Sequence, residues 1–330
     1  MRKPVCATLA VMMSLLFSPL SQAGQAWESY KARFFKPEGR IVDTGNDGVS
    51  HTEGQGFAML MAVANDDKAT FDKLWQWTNR ELKNKENGLF YWRYNPAESN
   101  PVADKNNAAD GDVLIAWALL KADARWHDKR YSAASDAITK ALVAHSVIRY
   151  AGYRVMLPGV QGFKLDGEVV LNPSYFVFPA WQAFAGRSHL PVWRDLIKDG
   201  KRLLGKMGSG KANLPADWVS LTSDGKLEPA KGWPPRMSYD AIRIPLYLAW
   251  SDKQSPLLTP WKAWFGQFPR EQTPAWVNVT TNEYAPYMME GGLLAVRDLT
   301  MGQPSGEPEI TSKDDYYSAS LKMLVWISAQ

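Results

Sequence analysis

Thr52-Glu53-Gly54-Gln55-Gly56 runs straight into Phe57-Ala58-Met59-Leu60-Met61-Ala62-Val63-Ala64, so a lone carboxylate stands where a loop rich in Asp, Asn and Gly gives way to an apolar helix. Thr52 is a good N-cap residue. It would place Glu53 in the first helical turn, where unpaired N–H groups and the helix dipole favour an anion. The apolar run behind leaves no room for water, and the two glycines let a ligand or another backbone come close. Two readings of Glu53 follow: a carboxyl group held at the floor of a cleft, or an ordinary glutamate at a helix start.

Upstream, Met1 to Ala23 has the pattern of a secretory signal. Arg2 and Lys3 precede an apolar core from Ala7 to Phe17, and Ser21-Gln22-Ala23 supplies a small-residue cleavage site, with a second possible cut after Ala26. The apolar core is too short to span a bilayer. Cleavage removes Cys6, the only cysteine, so the secreted chain has no disulfides and relies on its core. A domain of about 300 residues buries enough surface for that. Cys6 lies ahead of the apolar core, which argues against a lipoprotein anchor. The formal charge is +4, and losing Arg2 and Lys3 brings it closer to neutral, so nothing suggests a nucleic-acid stripe or a basic membrane-binding helix. The expectation is one domain over residues 24–330, secreted or periplasmic, monomeric, with no nucleic-acid or membrane partner. All 15 Trp follow the signal, and most of them should be core. The others, with the tyrosines, suit the C–H faces of carbohydrates.

Helical spacing marks Trp27 to Phe35, Glu53 to Asn65, Lys68 to Lys83, Asp110 to Trp126, Tyr131 to Ser146, Pro173 to Ala185, Pro191 to Lys206, Tyr239 to Ser251, Pro260 to Phe268, Glu283 to Leu299 and Asp314 to Ser328. On Lys68 to Lys83 the predicted core face is Phe71, Leu74, Trp75 and Thr78. Few credible strands remain. A small apolar helix is followed repeatedly by a more amphipathic one, which fits a ring of inner helices wrapped by outer ones. Long loops from Asn84 to Ala109 and from Ile148 to Asn172 fall on the Glu53 side if the helices alternate in direction, and loops of that length are uncommon unless they build a site.

Three carboxylate motifs share one placement, at a helix start beside small residues. Glu53 is the first, Asp110-Gly111-Asp112 the second and Tyr239-Asp240-Ala241 the third. If they converge on one mouth below loop aromatics, they meet the needs of glycoside hydrolysis, which uses one protonated acid and one ionised partner. Each also has a plainer reading: Asp110 and Asp112 as helix caps, Asp240 as a partner for Arg243 one turn on. Asp110 and Asp112 lack the later ligands of a calcium loop. The four histidines form no H-x-x-x-H pair, and no G-x-S-x-G or complete phosphate-binding G-x-x-x-x-G-K-[ST] occurs, since Ala212 follows Gly205 to Lys211, so zinc, serine-hydrolase and nucleotide chemistry are disfavoured and no cofactor is expected.

The stretches TEGQGFAML, AADGDVLIAWALLKADARW and MSYDAIRIP resemble, in order, the three blocks of glycoside hydrolase family 8, the bacterial cellulase family that also holds chitosanases, lichenases and xylanases. Within it, the chain looks most similar to the small secreted endoglucanases of Gram-negative bacteria. The resemblance implies an all-α (α/α)6 barrel of six inner and six outer helices, and hydrolysis with inversion. Carried onto this sequence, it implies Glu53 as general acid and Asp240 as general base. Asp110, or less so Asp112, would hold and distort the sugar, Tyr175 would sit near the base and its water, and Arg243 would orient the base. Burial and the Asp110 charge are then expected to raise the proton affinity of Glu53, while Asp240 stays ionised beside Arg243. An inverting pair should stand roughly 6.5–9.5 Å apart. Sugar stacking is expected on some of Trp92, Tyr94, Trp117 and Tyr175. The implied substrate is a β-1,4-glucan; the alternatives are chitosan, a mixed-linkage glucan, or a glucan bound without turnover.

Overall fold

The computed structural model describes residues 24–303 and 306–330; the signal peptide expected over 1–23 lies outside the described residues. Its α-helices are Gln25–Phe34 (α1), Thr52–Ala64 (α2), Lys68–Glu81 (α3), Ala109–Trp126 (α4), Lys129–His145 (α5), Phe178–Arg187 (α6), Val192–Leu204 (α7), Arg243–Ser251 (α8), Thr259–Phe265 (α9), Gly291–Thr300 (α10) and Tyr316–Ser328 (α11). Packing contacts close a ring from α2 through α4, α6, α8, α10 and α11 back to α2. The other helices lie outside it, α1 against α11, α3 against α2, α5 against α4, α7 against α6 and α9 against α10. This is the all-α (α/α)6 architecture, except that five outer helices rather than the expected six stand among the described residues, because no helix intervenes between α10 and α11.

Burial explains the alternation. In α2 the run from Gly54 to Ala62 is buried without a break, and in α4 so is the run from Ala109 to Leu119, because both are surrounded on all sides. An outer helix buries one stripe: Thr70, Phe71, Leu74, Trp77 and Thr78 on α3, where Trp77 rather than Trp75 turns inward. The one polar side chain deep in α2, Gln55, is fully satisfied. Its oxygen accepts from Ile41 N at 2.7 Å, and its amide donates to Gly39 O at 3.1 Å and Thr78 Oγ1 at 2.8 Å, which ties the preceding loop down.

Four helix boundaries differ from the sequence expectation, each for a local reason. Pro173 to Ala185 is not one helix: a 3-10 turn, Pro173–Tyr175, is capped by Asn172, and α6 starts afresh with Pro179 in its first turn. Glu283 to Glu290 is not helical. Its backbone pairs with residues 273–278, Ala285 N donating to Trp276 O at 3.0 Å and Met289 N to Thr273 O at 2.7 Å, and Pro286 interrupts any helix there. The stretch from Tyr239 to Ile242 forms a turn ahead of α8. Thr52 is not the N-cap of α2. His51 takes that position without a side-chain cap, and Thr52 Oγ1 is buried with no partner.

Thr52 is instead a packing residue, because α2 and α4 approach closely across Gly56 and Gly111. A Cβ on Gly56 would lie 2.5 Å from Leu114 Cβ, and one on Gly111 would lie 2.1 Å from Thr52 Oγ1. The short strands are all peripheral: Ser50–His51 pairs with Arg93–Tyr94, Val147–Tyr150 with Tyr153–Met156, Glu168–Leu171 with Val219–Thr222 and then Leu227–Pro229, and Arg236–Met237 with Val277–Asn278. They stiffen the loops over the helix ends. Gly111→Ala is expected to force the two inner helices apart and to destabilise the protein by about 1–3 kcal/mol. A lower urea midpoint with unchanged m checks this; a midpoint equal to that of the parent would show that the contact yields freely.

Candidate active site

The starts of α2, α4 and α8 meet at one mouth of the ring, and the residue that joins them is Arg243 at the first position of α8. Its guanidinium is only 3 % exposed. Nη1 donates to Glu53 Oε2 in a short contact, Nη2 donates to Asp240 Oδ1 at 3.0 Å and to Ser174 Oγ at 2.9 Å, and Asp110 Oδ2 lies 3.7 Å from Nη2. One cation therefore faces three carboxylates from three inner helix starts. Burial works against the charge of Arg243, but Glu53 and the other anions around it hold its pKa well above normal.

One positive charge cannot neutralise three negative ones in a site with little water, so protons stay on part of the cluster. Asp110 shows this most. Burial pushes it up to about 7 against the pull of Arg243, with the Glu53 charge adding to the rise, while Gly111 N donates to its Oδ1 at 2.8 Å. Asp240 is also raised by burial, with Arg243 opposing and Glu53 reinforcing. Its side chain keeps 32 % exposure toward the mouth, yet protein surrounds it on the other sides. The Arg243 partnership expected to hold Asp240 down is present but outweighed. Asn172 Nδ2 donates to Asp240 Oδ2 at 3.2 Å and favours the ionised form, as does the neighbouring Trp218 side chain.

Tyr175 is half-buried above the cluster, edge-on to Trp218 at 6.2 Å. Burial, then the charges of Asp110 and Asp240, keep its phenol protonated by pushing its pKa well above normal. Tyr316 was not anticipated. Its hydroxyl lies 3.3 Å from Glu53 Oε1, and the next residue, Tyr317, sets its ring 6.0 Å from the Arg243 guanidinium carbon. The sequence signal was there: Asp315 caps Ser318 N just ahead of α11, which puts Tyr316 in the first turn of an inner helix, as Glu53 is in α2 and Asp110 in α4.

The aromatic expectations divide. Trp92 lies parallel to His51, 6° between planes and 6.5 Å between centroids, with its indole N–H held by Asp104 Oδ2 at 2.7 Å. That makes a flat, fixed surface immediately before Thr52 and Glu53. Tyr94 instead packs edge-on against Trp77 of α3 at 5.1 Å. Trp117 is buried against Trp250 at 4.9 Å, two turns and so about 10 Å down α4 from Asp110, which makes it core. Asp112 is likewise corrected from sugar contact to loop anchor: wholly buried, it accepts from Phe90 N at 2.9 Å and Asn107 Nδ2 at 2.8 Å, and burial pushes it up to about 7. A file of stacked rings beside Asp240 had not been anticipated. Phe163 lies on Trp218 at 5.7 Å and Trp218 on Trp233 at 5.0 Å. No local pattern links Phe163 to Trp218; the file exists only once Glu168–Leu171 pairs with Val219–Thr222.

A mouth with carboxylates around one arginine, flanked by flat aromatic surfaces on two sides, can grip a sugar chain and exchange protons with it. The family model for Glycosyl hydrolases family 8 matches residues 1–330. The chain belongs to that family. It is 61 % identical to an endoglucanase of Cellulomonas uda over 94 % of this chain and 87 % of that one. Against solved structures, it is 66 % identical to the family 8 endoglucanase Cel10 from Klebsiella pneumoniae, with a TM-score of 0.91 over 92 % of this chain and 98 % of that one. The endo-β-1,4-glucanase CMCax from Acetobacter xylinum is 40 % identical, with a TM-score of 0.88 over 93 % of this chain and 97 % of the other.

Asp112→Ala is expected to cost about 1–3 kcal/mol of stability, because it strands the buried Phe90 N–H and the Asn107 amide. Chemical denaturation checks this. An unchanged midpoint together with lost sugar binding would return Asp112 to the substrate.

Proposed function

We propose that this family 8 member is a secreted endo-β-1,4-glucanase that cuts internal bonds of cellulose-type glucan with inversion, with Glu53 as general acid and Asp240 as general base. The observation that carries the assignment is Arg243, which binds Glu53 through one nitrogen and Asp240 through the other. Both carboxyl groups thus share one buried cation, which supports their acting on the same bond. Relatives at 61 % and 66 % identity that carry the name endoglucanase support the reaction, and the hydrolytic residues are this chain's own.

In the reaction, protonated Glu53 gives its proton to the leaving glycosidic oxygen. On the opposite face of the ring, Asp240 takes a proton from a water that attacks the anomeric carbon, so the new bond forms on the side away from the broken one. Asp240 must be ionised for that step, and the bonds from Arg243 and Asn172 favour its charged form. Asp110 holds the ring hydroxyls and Tyr175 covers the water side, a reading supported by the burial of Asp110 3.7 Å from Arg243. Trp92 and the Trp218 file offer stacking faces on either side of the cut. The chain acts as one catalytic domain over residues 24–330, exported to the periplasm or beyond after loss of 1–23, and as a monomer. Among the described residues no helix is long and apolar enough to cross a membrane.

Glu53→Gln and Asp240→Asn are each expected to lower kcat on cellohexaose by at least about a hundredfold while oligosaccharide binding persists. Near-parental turnover by either variant would remove that residue from its role, and faster cleavage of chitosan or mixed-linkage glucan than of cellohexaose would change the substrate.

A base must be deprotonated, and burial raises the pKa of Asp240, so kcat/KM should fall on the acid side at a pH above the ordinary 3.8 of an aspartate. A rate profile with its acid limb at or below 3.8 would contradict this.

A further inference from the structure

We infer that Asp217 is the positioning residue for the general base, fixing the Ser238-to-Ala241 turn that carries Asp240. The inference rests on Asp240 being the base. Asp217 lies just before Val219–Thr222, and its carboxylate reaches the turn from behind. Its Oδ1 accepts from Ser238 N at 2.9 Å and from Ala241 N at 2.8 Å, the N–H groups that bracket Asp240 on either side. Its Oδ2 takes the Ser238 hydroxyl in a short bond.

The turn depends on this support because α8 begins only at Arg243, so the N–H groups of Ser238 and Ala241 have no helical partner. Asp217 supplies both from a single oxygen. It is itself fastened, since its own N–H donates to Arg236 O at 2.7 Å. Its neighbour Trp218 stacks between Phe163 and Trp233. One short segment, Asp217-Trp218, therefore sets the height of the base from below and covers it from the side. Burial, and then the Asp240 charge, push Asp217 up to about 6, so an acid at this place carries an electrostatic penalty. What offsets that penalty is geometry: displacing a catalytic group by about 1 Å can cost about a hundredfold in rate.

The test compares Asp217→Ala, Asp217→Asn and Asp240→Asn in the full-length enzyme, each checked for folding by its melting curve. Asp217→Ala should lower kcat on cellohexaose by at least about tenfold, with KM changed less than about twofold, since the stacking surfaces that bind the chain remain. Asp217→Asn keeps an oxygen for both N–H groups and can turn its amide toward Ser238 Oγ, so it should recover kcat at least about threefold over the alanine variant. A folded alanine variant with parental kcat, or a loss expressed in KM alone, overturns the positioning role. So does an asparagine variant no better than alanine; this second comparison stands even if alanine does not fold. If Asp240→Asn remains active, the base assignment falls instead, which keeps the two failures distinct.

Discussion

The site depends on a buried guanidinium that has more carboxylates than it can neutralise. Arg243 at 3 % exposure touches Glu53, Asp240 and Ser174 and approaches Asp110, so the proton affinities of Asp110 and Asp240 depend on the charges around them. A buried ion pair is weak evidence for stability, because desolvation offsets much of the attraction. Here the imbalance is useful chemically. A cluster with one cation and three acids retains protons near neutral pH, and a glycosidase needs one acid with a proton beside one without. The same arginine holds both Glu53 and Asp240 in place.

That cluster can form only because the barrel brings helix starts together. Each acid precedes or opens an inner helix, and α2 and α4 continue from there as long buried, mostly apolar runs, so the carboxylates sit where a closely packed ring meets its loops. Close approach of α2 and α4 across Gly56 and Gly111 sets the spacing between Glu53 and Asp110. Tightness at this seam explains why Thr52 is buried without a hydrogen bond: its hydroxyl fills space against Gly111 instead of capping the helix. The loops then supply the walls. Asp112 pins the loop after α3 through Phe90, which carries Trp92 over the start of α2, where Thr52 N donates to Trp92 O at 3.0 Å.

Much of this was legible in residue types. Glu53, Asp110, Asp240 and Arg243 stand out because charged residues beside long apolar runs are unusual, and the structure gathers all four. The aromatic readings were less secure, since Trp92, Tyr94 and Trp117 look alike in sequence. Tyr94 faces Trp77, and Trp117 faces Trp250; which ring reaches the groove depends on the rotation of an element about its axis and on what packs against it. Asp112 was misread for a related reason. Two residues after Asp110 on a helix, its side chain points about 200° away, toward the Phe90 loop and not the mouth.

The sequence by itself determined the all-helical architecture, the pairing of apolar with amphipathic helices, and the acids at the helix starts, because periodicity and composition are local properties that survive without knowledge of neighbours. Only the tertiary structure decided that Arg243 serves Glu53 as well as Asp240, that Tyr316 reaches Glu53, that Asp217 holds the turn under Asp240, and that Phe163, Trp218 and Trp233 form one file. Each of these joins segments far apart along the chain. Contacts of that kind are fixed by how helices and loops close around a common core, which no window of neighbouring residues contains.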